Sequence, residues 1–337
     1  MARALPTLGI VLLALLPLAG LSDYHLHVLI LILIWAFIYT GWSIMGRFGL
    51  VSLGHGAFLG IGAYAVTMLW NHFGVTPWLG IPAAVLLACA VALVIGYPCF
   101  RFKITGHYFA LVTLALSEVV RLLIVALRDH TGGSLGVTPR TALAEGSYSL
   151  YALQFADKEV WFYVILLFWL AGLWIWRLVD RSMARYAMEA ISQEEDAAAA
   201  VGIDVTWTKL KVTLISAAMT AVGGALYGQY QVYINPETVS GIAISLQIVF
   251  AVIAGGMFVQ LGPTVGALFT LLLAESLRVS VGHDVHGLDG TIYGLLLVIF
   301  IIYMPKGILG KLLELLDRRR PGTPPPGRLQ PASEAAD

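Results

Sequence analysis

RLVDRSMARYAMEAISQEEDAAAAVGIDVTWTKLK, from Arg177 to Lys211, is the only long polar stretch inside an otherwise apolar chain. The runs on either side of it are long enough to cross a bilayer as helices, which takes about 20 residues for a hydrocarbon core of about 30 Å. A polar segment pinned between two such spans lies at a membrane face. Over 183–202 it reads as one amphipathic helix, with Met183, Ala187, Ala190, Ile191, Ala198 and Val201 on one side and Arg185, Glu189, Gln193 and Asp196 on the other. Gly202 is placed to stop that helix, and Asp204 or Thr206 to cap the next. Its apolar side is built mostly of alanine, too weak to anchor strongly in lipid and suited to a groove on another protein.

The rest of the chain sets that island in context. Of 337 residues, 59% are hydrophobic and 12% charged, against about 25% charged in soluble domains. The fold class is therefore an all-α polytopic membrane protein. Zero net charge carries no hint of nucleic acid. Cys89 and Cys99 lack the spacing and the histidine neighbours of a zinc site or a disulfide framework.

Ten spans are expected, at 5–21, 24–45, 55–72, 77–99, 107–127, 159–179, 209–230, 241–259, 263–281 and 288–304. The first has a second reading as a secretory signal, because Arg3 precedes a short apolar run. Lysine and arginine mark cytoplasmic loops. With both termini inside, only Arg128, Arg140 and Lys158 of the 20 basic residues fall outside, and only Arg121 and Arg278 within spans. This topology puts 177–211 in the cytoplasm. It also leaves Asp129, Glu237, Asp284 and Asp289 outside, where a soluble partner can reach them. The membrane domain covers 1–304, with a cytoplasmic loop at 180–208. Ile308, Leu309, Leu312, Leu313 and Leu316 then repeat at helical spacing in an interfacial helix over 305–320. The tail at 321–337 has little to bury and is expected to be disordered.

Within the membrane, GRFGLVSLGHGAFLGIGAY (46–64) is broken by Gly46, Gly49, Gly54, Gly56, Gly60 and Gly62. Each glycine inside a helix costs about 1 kcal/mol against alanine, so this density predicts a broken or closely packed helix. Broken backbone survives in lipid only where protein or a water-filled cavity satisfies it. Ser52 and His55 accompany the break and are candidate lining residues, together with Tyr108 and Thr113. Gly56/Gly60, Gly224/Gly228, Gly262/Gly266 and Gly290/Gly294 also fit the close-packing GxxxG pattern. ALVTLALSEVVR (110–121) and ALFTLLLAESLR (267–278) share a frame that carries Glu118 with Arg121 and Glu275 with Arg278. Residues three apart share a helix face, so each pair can neutralise itself; a proton relay is the other reading.

The chain contains no GxxxxGK[ST], H-E-x-x-H or G-x-S-x-G. Any ATP-driven motor must then be a separate subunit, and the chain itself is not an enzyme.

GLVSLGHGAFLGIGAY (49–64), GHYFALVTLALSEVVR (106–121), TGGSLGV (131–137), MEAISQEEDAAAAVGI (188–203), KVTLISAAMTAVGGALYG (211–228), IAGGMFVQLGPTVGA (253–267) and MPKGILG (304–310) together resemble the LivM-type permeases. These are membrane subunits of bacterial branched-chain amino acid ABC importers. The resemblance runs from about Gly46 to Gly310. It implies a type II importer permease fold in the bacterial inner membrane. It also implies a second, LivH-like permease, a periplasmic binding protein, and two cytoplasmic ATPase subunits that bind ATP and magnesium. The loop matching 183–202 corresponds to the coupling helix, which points to Met183, Ala187, Glu189, Ile191, Glu194, Ala198 and Gly202 as ATPase contacts. Two positions depart from the family: His55 stands where glutamine is common, and Leu135 where the loop often carries asparagine. Related systems carry urea, short amides, or aromatic and other carboxylic compounds.

Overall fold

The computed structural model describes residues 13–142, 149–281, 288–303 and 307–318. Most of the expected first span, the tail from 321, and Asp284 lie outside these residues. The helices are α1 Asp23–Gly46, α2 His55–Phe73, α3 Pro77–Arg101, α4 Gly106–Ala126, α5 Lys158–Arg181, α6 Met183–Gln193, α7 Glu195–Ala200, α8 Val205–Gln231, α9 Ile242–Gly255, α10 Gly262–Val281, α11 Leu288–Tyr303 and α12 Gly307–Arg318. Among the described residues no strand forms, only the isolated bridges Val137–Ile234 and Ser149–Gln154. Among the described residues six stretches are long and apolar enough to cross a membrane: α1, α3, α4, α5, α8, and Pro236–Gly255 with α9 inside it.

α1 is the axis of the bundle. It is apolar on every side, and a helix of that kind is buried. In its most apolar 18-residue window 83% of residues are buried, against 33% in α3 and in α4. α5, α8, α9 and α10 pack around it. α2 is absent from the six because His55, Asn71 and His72, together with its glycines, lower its hydropathy. It has no need of an apolar exterior, since it is sandwiched by α3, α4, α8 and α9.

Lipid tails are as apolar as leucine, so helices in a membrane associate through close packing and interhelical hydrogen bonds. The α2–α8 contact shows this directly. A Cβ on Gly62 would overlap the backbone of Ala221, and one on Gly224 the backbone of Leu59. The two helices run in the same direction, Leu59 against Gly224 and Ala63 against Gly228. Gly262 and Gly266 bring α10 onto the backbone at Gly256 and Ala251 in the same way. Gly294, by contrast, faces open space, so the Gly290/Gly294 pattern makes no such contact there.

Helix ends follow local chemistry. Gly74, with φ +64°, closes α2, and Pro77 opens α3. The Asp204 side chain accepts from the Trp207 backbone N–H at 3.0 Å and caps α8, as read from sequence. α9 is shorter than the 241–259 expected, because Gly256 at φ +113° ends it after Gly255. α12 lies against α9 and α10, with Leu312, Leu313 and Leu315 exposed.

Candidate functional site

The break before α2 is held open by side chains. Gly49 takes φ +81°. The Leu53 N–H donates to Thr113 Oγ1 of α4 at 2.9 Å, and the Gly54 N–H donates to Ser52 Oγ at 3.2 Å. The Trp42 indole N–H donates to the Ser52 carbonyl at 2.8 Å. Ser52 and Thr113, chosen as lining residues for their polarity, therefore use it on a backbone that lipid cannot solvate.

His55 is fully buried at the start of α2. Its Nε2 lies 2.8 Å from Ser216 Oγ of α8, and that hydroxyl donates to the Gly41 carbonyl of α1 at 2.7 Å. The Ser216 proton is thus committed, which assigns the His55 proton to Nε2 and leaves Nδ1 as a lone pair with no partner among the described residues. One imidazole therefore ties the three central helices. Trp42 and Phe58 stand edge-on to it. At the next residue, the Gly56 N–H donates to Ser245 Oγ at 3.0 Å, and Ser117 Oγ donates to the Gly241 carbonyl at 2.9 Å. Tyr108 does not join this seam. It is 75% exposed on the outer face of α4.

Ser216, Ser117 and Ser245 were not singled out in the sequence. The available signal is a single serine in each of these spans; the sequence does not give the partner, 161 residues away in the case of His55 and Ser216.

Of the two expected charge pairs, Glu118 and Arg121 do self-pair. Arg121 Nε and Nη2 both donate to the carboxylate, at 3.0 and 2.5 Å. Its Nη1 also stands 3.8 Å from exposed Glu237. Glu275 accepts from the Tyr24 hydroxyl at 2.8 Å, and the side chain of Arg278 lies outside the described ones. In the TGGSLGV loop Gly132, Gly133 and Gly136 all take positive φ. The exposed Leu135 is held through its carbonyl by the Tyr233 hydroxyl at 2.7 Å.

The polar segment 177–211 corrects the sequence reading. The expected single helix over 183–202 is two helices, α6 and α7, separated by Glu194 in extended conformation at φ −157°, ψ 111°. The run Glu194-Glu195-Asp196 explains the break. In the middle of a continuous helix these carboxylates would gain nothing from the macrodipole, whereas at the start of a new one Glu195 and Asp196 favour it. The break also resets the faces. Met188, Ile191 and Ala198 are buried against the membrane body, Ala187 is half-buried, and Glu189 and Glu194 are exposed. Met183 at 80% and Val201 at 79% are exposed rather than on the packed side. Gly202, at φ +92°, ends the segment as expected.

Ion pairs latch the two helices to different places. α7 is held by Glu195 to Lys209 of α8, whose ammonium is buried near the Phe100 ring, and by Asp196 to Lys103 in the α3–α4 turn at 2.5 Å. Phe100, Lys103, Glu195 and Asp196 border a cavity of about 250 Å³. α6 is held through Arg185 to Asp180 at the end of α5.

From residue 24 to residue 302 the chain matches the family described as branched-chain amino acid transport system / permease component. It is 30% identical over 285 residues to the high-affinity branched-chain amino acid transport system permease protein LivM of Salmonella typhimurium, an alignment covering 79% of this chain and 65% of that protein. The figures for LivM of Escherichia coli K12 are the same. With the probable branched-chain amino acid transport permease protein LivH of Methanocaldococcus jannaschii it shares 26% over 264 residues, 76% of this chain and 81% of that one. The chain thus spans about 65% of the length of the LivM relatives it matches. No solved structure matches it. The family match takes in the glycine-broken seam and the polar segment alike, and the chain belongs to the permease components of branched-chain amino acid transport systems.

Proposed function

We propose that this chain is a translocating subunit of a bacterial ABC importer that moves branched-chain or other hydrophobic amino acids inward. In this reading it spans the inner membrane ten times with both termini in the cytoplasm, as the distribution of its basic residues favours. It pairs with a LivH-like permease, receives substrate from a periplasmic binding protein, and is driven by two ATPase subunits that hold ATP and magnesium. The carrying observation is the cytoplasmic segment. It is folded as two short helices that expose Met183, Tyr186 and Val201, in a chain that matches a transport-permease family and has no nucleotide motif of its own. Large apolar side chains raised on a polar surface suit a protein groove. A proton-coupled carrier is the weaker reading, because Glu118 is neutralised by Arg121 and Glu275 accepts from Tyr24.

The test is co-purification with the ATPases and uptake of leucine into proteoliposomes. Tyr186→Ala changes an exposed side chain and should leave yield intact while lowering retained ATPase about tenfold, the range for losing an aromatic anchor. Full retention in a double Met183→Asp, Tyr186→Ala variant overturns the docking reading. Ala198→Glu cannot serve, because Ala198 is buried within the chain itself.

A further inference from the structure

A chain of charges runs from α6 to the broken segment 47–54, and neither the packing of the seam nor the docking surface uses it. Arg47 directly follows α1, and its side chain is 6% exposed. α5 clamps it: Nη1 donates to Asp180 Oδ1 at 2.8 Å, and Cζ lies 4.2 Å from the ring of Trp176, one turn earlier on the same face. Phe48 flanks the guanidinium at 4.7 Å. Its Nε and Nη2 have no partner among the described residues. The same Asp180 oxygen stands 3.5 Å from Arg185 Nη1, and Arg185 Nε donates to Glu189 on α6 at 2.7 Å. Exposure rises along this chain, to 26% at Asp180, 38% at Arg185 and 48% at Glu189.

A buried ion pair contributes little net stability compared with apolar side chains of the same volume, so packing alone does not call for one here. What it does is join moving parts. Ser182 alone connects α5 to α6, so a turn of α6 carries the end of α5 with it, and Asp180 carries Arg47. Arg47 in turn opens the non-helical stretch through Gly49 and Ser52 to His55. Asp180 is shared between two guanidinium groups, and Arg47 has donors to spare, so the contact has more than one arrangement available. That is the property a coupling element needs. α7 is latched elsewhere, to Lys209 and Lys103, and extended Glu194 lets α6 move apart from it.

We propose that Arg47, Asp180 and Arg185 are positioning residues that carry movement of α6 into the broken segment 47–54 and so into the central seam. This rests on the reading of α6 and α7 as the ATPase docking surface.

The test uses the complete transporter with its ATPases, Cys89 and Cys99 replaced by alanine, and half-exposed Val51 changed to cysteine as a reporter. Labelling by an impermeant maleimide is compared with and without a non-hydrolysable ATP analogue. The parent should change labelling rate about fivefold on nucleotide binding, and Asp180→Asn should reduce that change below about twofold while the ATPases stay bound and active. Asp180→Glu should restore the response. Arg185→Gln, at a more exposed position, should weaken it without leaving a buried charge, and so serves if Asp180→Asn fails to fold. With the ATPases bound, an undiminished response in Asp180→Asn and Arg185→Gln, or no response in the parent, overturns the link alone. If the ATPases do not associate with the parent through this surface, the docking reading falls and the link with it.

Discussion

In the seam of α1, α2 and α8, a fully buried histidine is tied to one hydroxyl and through it to one carbonyl, and glycines bring two backbones into contact. In α6 and α7, charges pair at the edge of the body, Glu194 is extended, and Met183 and Val201 are bare. The difference follows from what surrounds each region. Lipid offers no hydrogen bonds, so the polar groups that hold the seam together find their partners inside the protein, and of the His55 ring only Nδ1 has none among the described residues. The polar segment 183–202 lies at the edge of the body, so its charges need no complete internal pairing and Met183 and Val201 stay exposed.

The contrast is broken most directly at glycine. Gly62→Val should cost about 3 kcal/mol or more, because its Cβ would meet backbone that cannot give way. Gly202→Ala in the polar segment meets nothing within 4 Å and should cost only about 1 kcal/mol for its left-handed conformation. Thermal melts of the detergent-solubilised protein measure both, and equal losses would erase the distinction. Next in size is His55. His55→Ala leaves a cavity and removes the tie between α2 and α8, for about 2 kcal/mol. His55→Gln keeps a donor near Ser216 and should stay within about 1 kcal/mol of the parent. The smallest effect is expected at the exposed Lys103–Asp196 pair. Its hydrogen bond holds the Asp196 carboxyl below the usual range, so any stabilisation is present at neutral pH and lost as the pH falls through that lowered value. Solvent screening makes it slight. Lys103→Gln should leave melts at neutral pH unchanged at low and at high salt.

Much of this was legible from residue types alone. The bounds of α1, α3, α4 and α5 follow from uninterrupted apolar runs, and the break before α2 from its glycines. The self-pairing of Glu118 and Arg121 follows from their spacing on one helix. Helical periodicity runs across the split at Glu194 unbroken; its signal is the run of three adjacent carboxylates, which gain from a helix dipole only at a helix start. Tyr108 is polar and lies inside a matching block, and polarity does not say which way a residue faces.

The sequence by itself determined the membrane-helical class, the position of the polar segment, the family, and the need for backbone broken near Ser52. These depend on hydropathy, spacing and glycine content, which act within one helix at a time. Only the tertiary structure decided that His55 meets Ser216, that Arg47 meets Asp180 across 133 residues, and that Ala198 faces inward while Val201 does not. Such pairings depend on which helix lies beside which. In lipid that choice is made by close steric fit and by the hydrogen bonds left to satisfy, both properties of the assembled bundle.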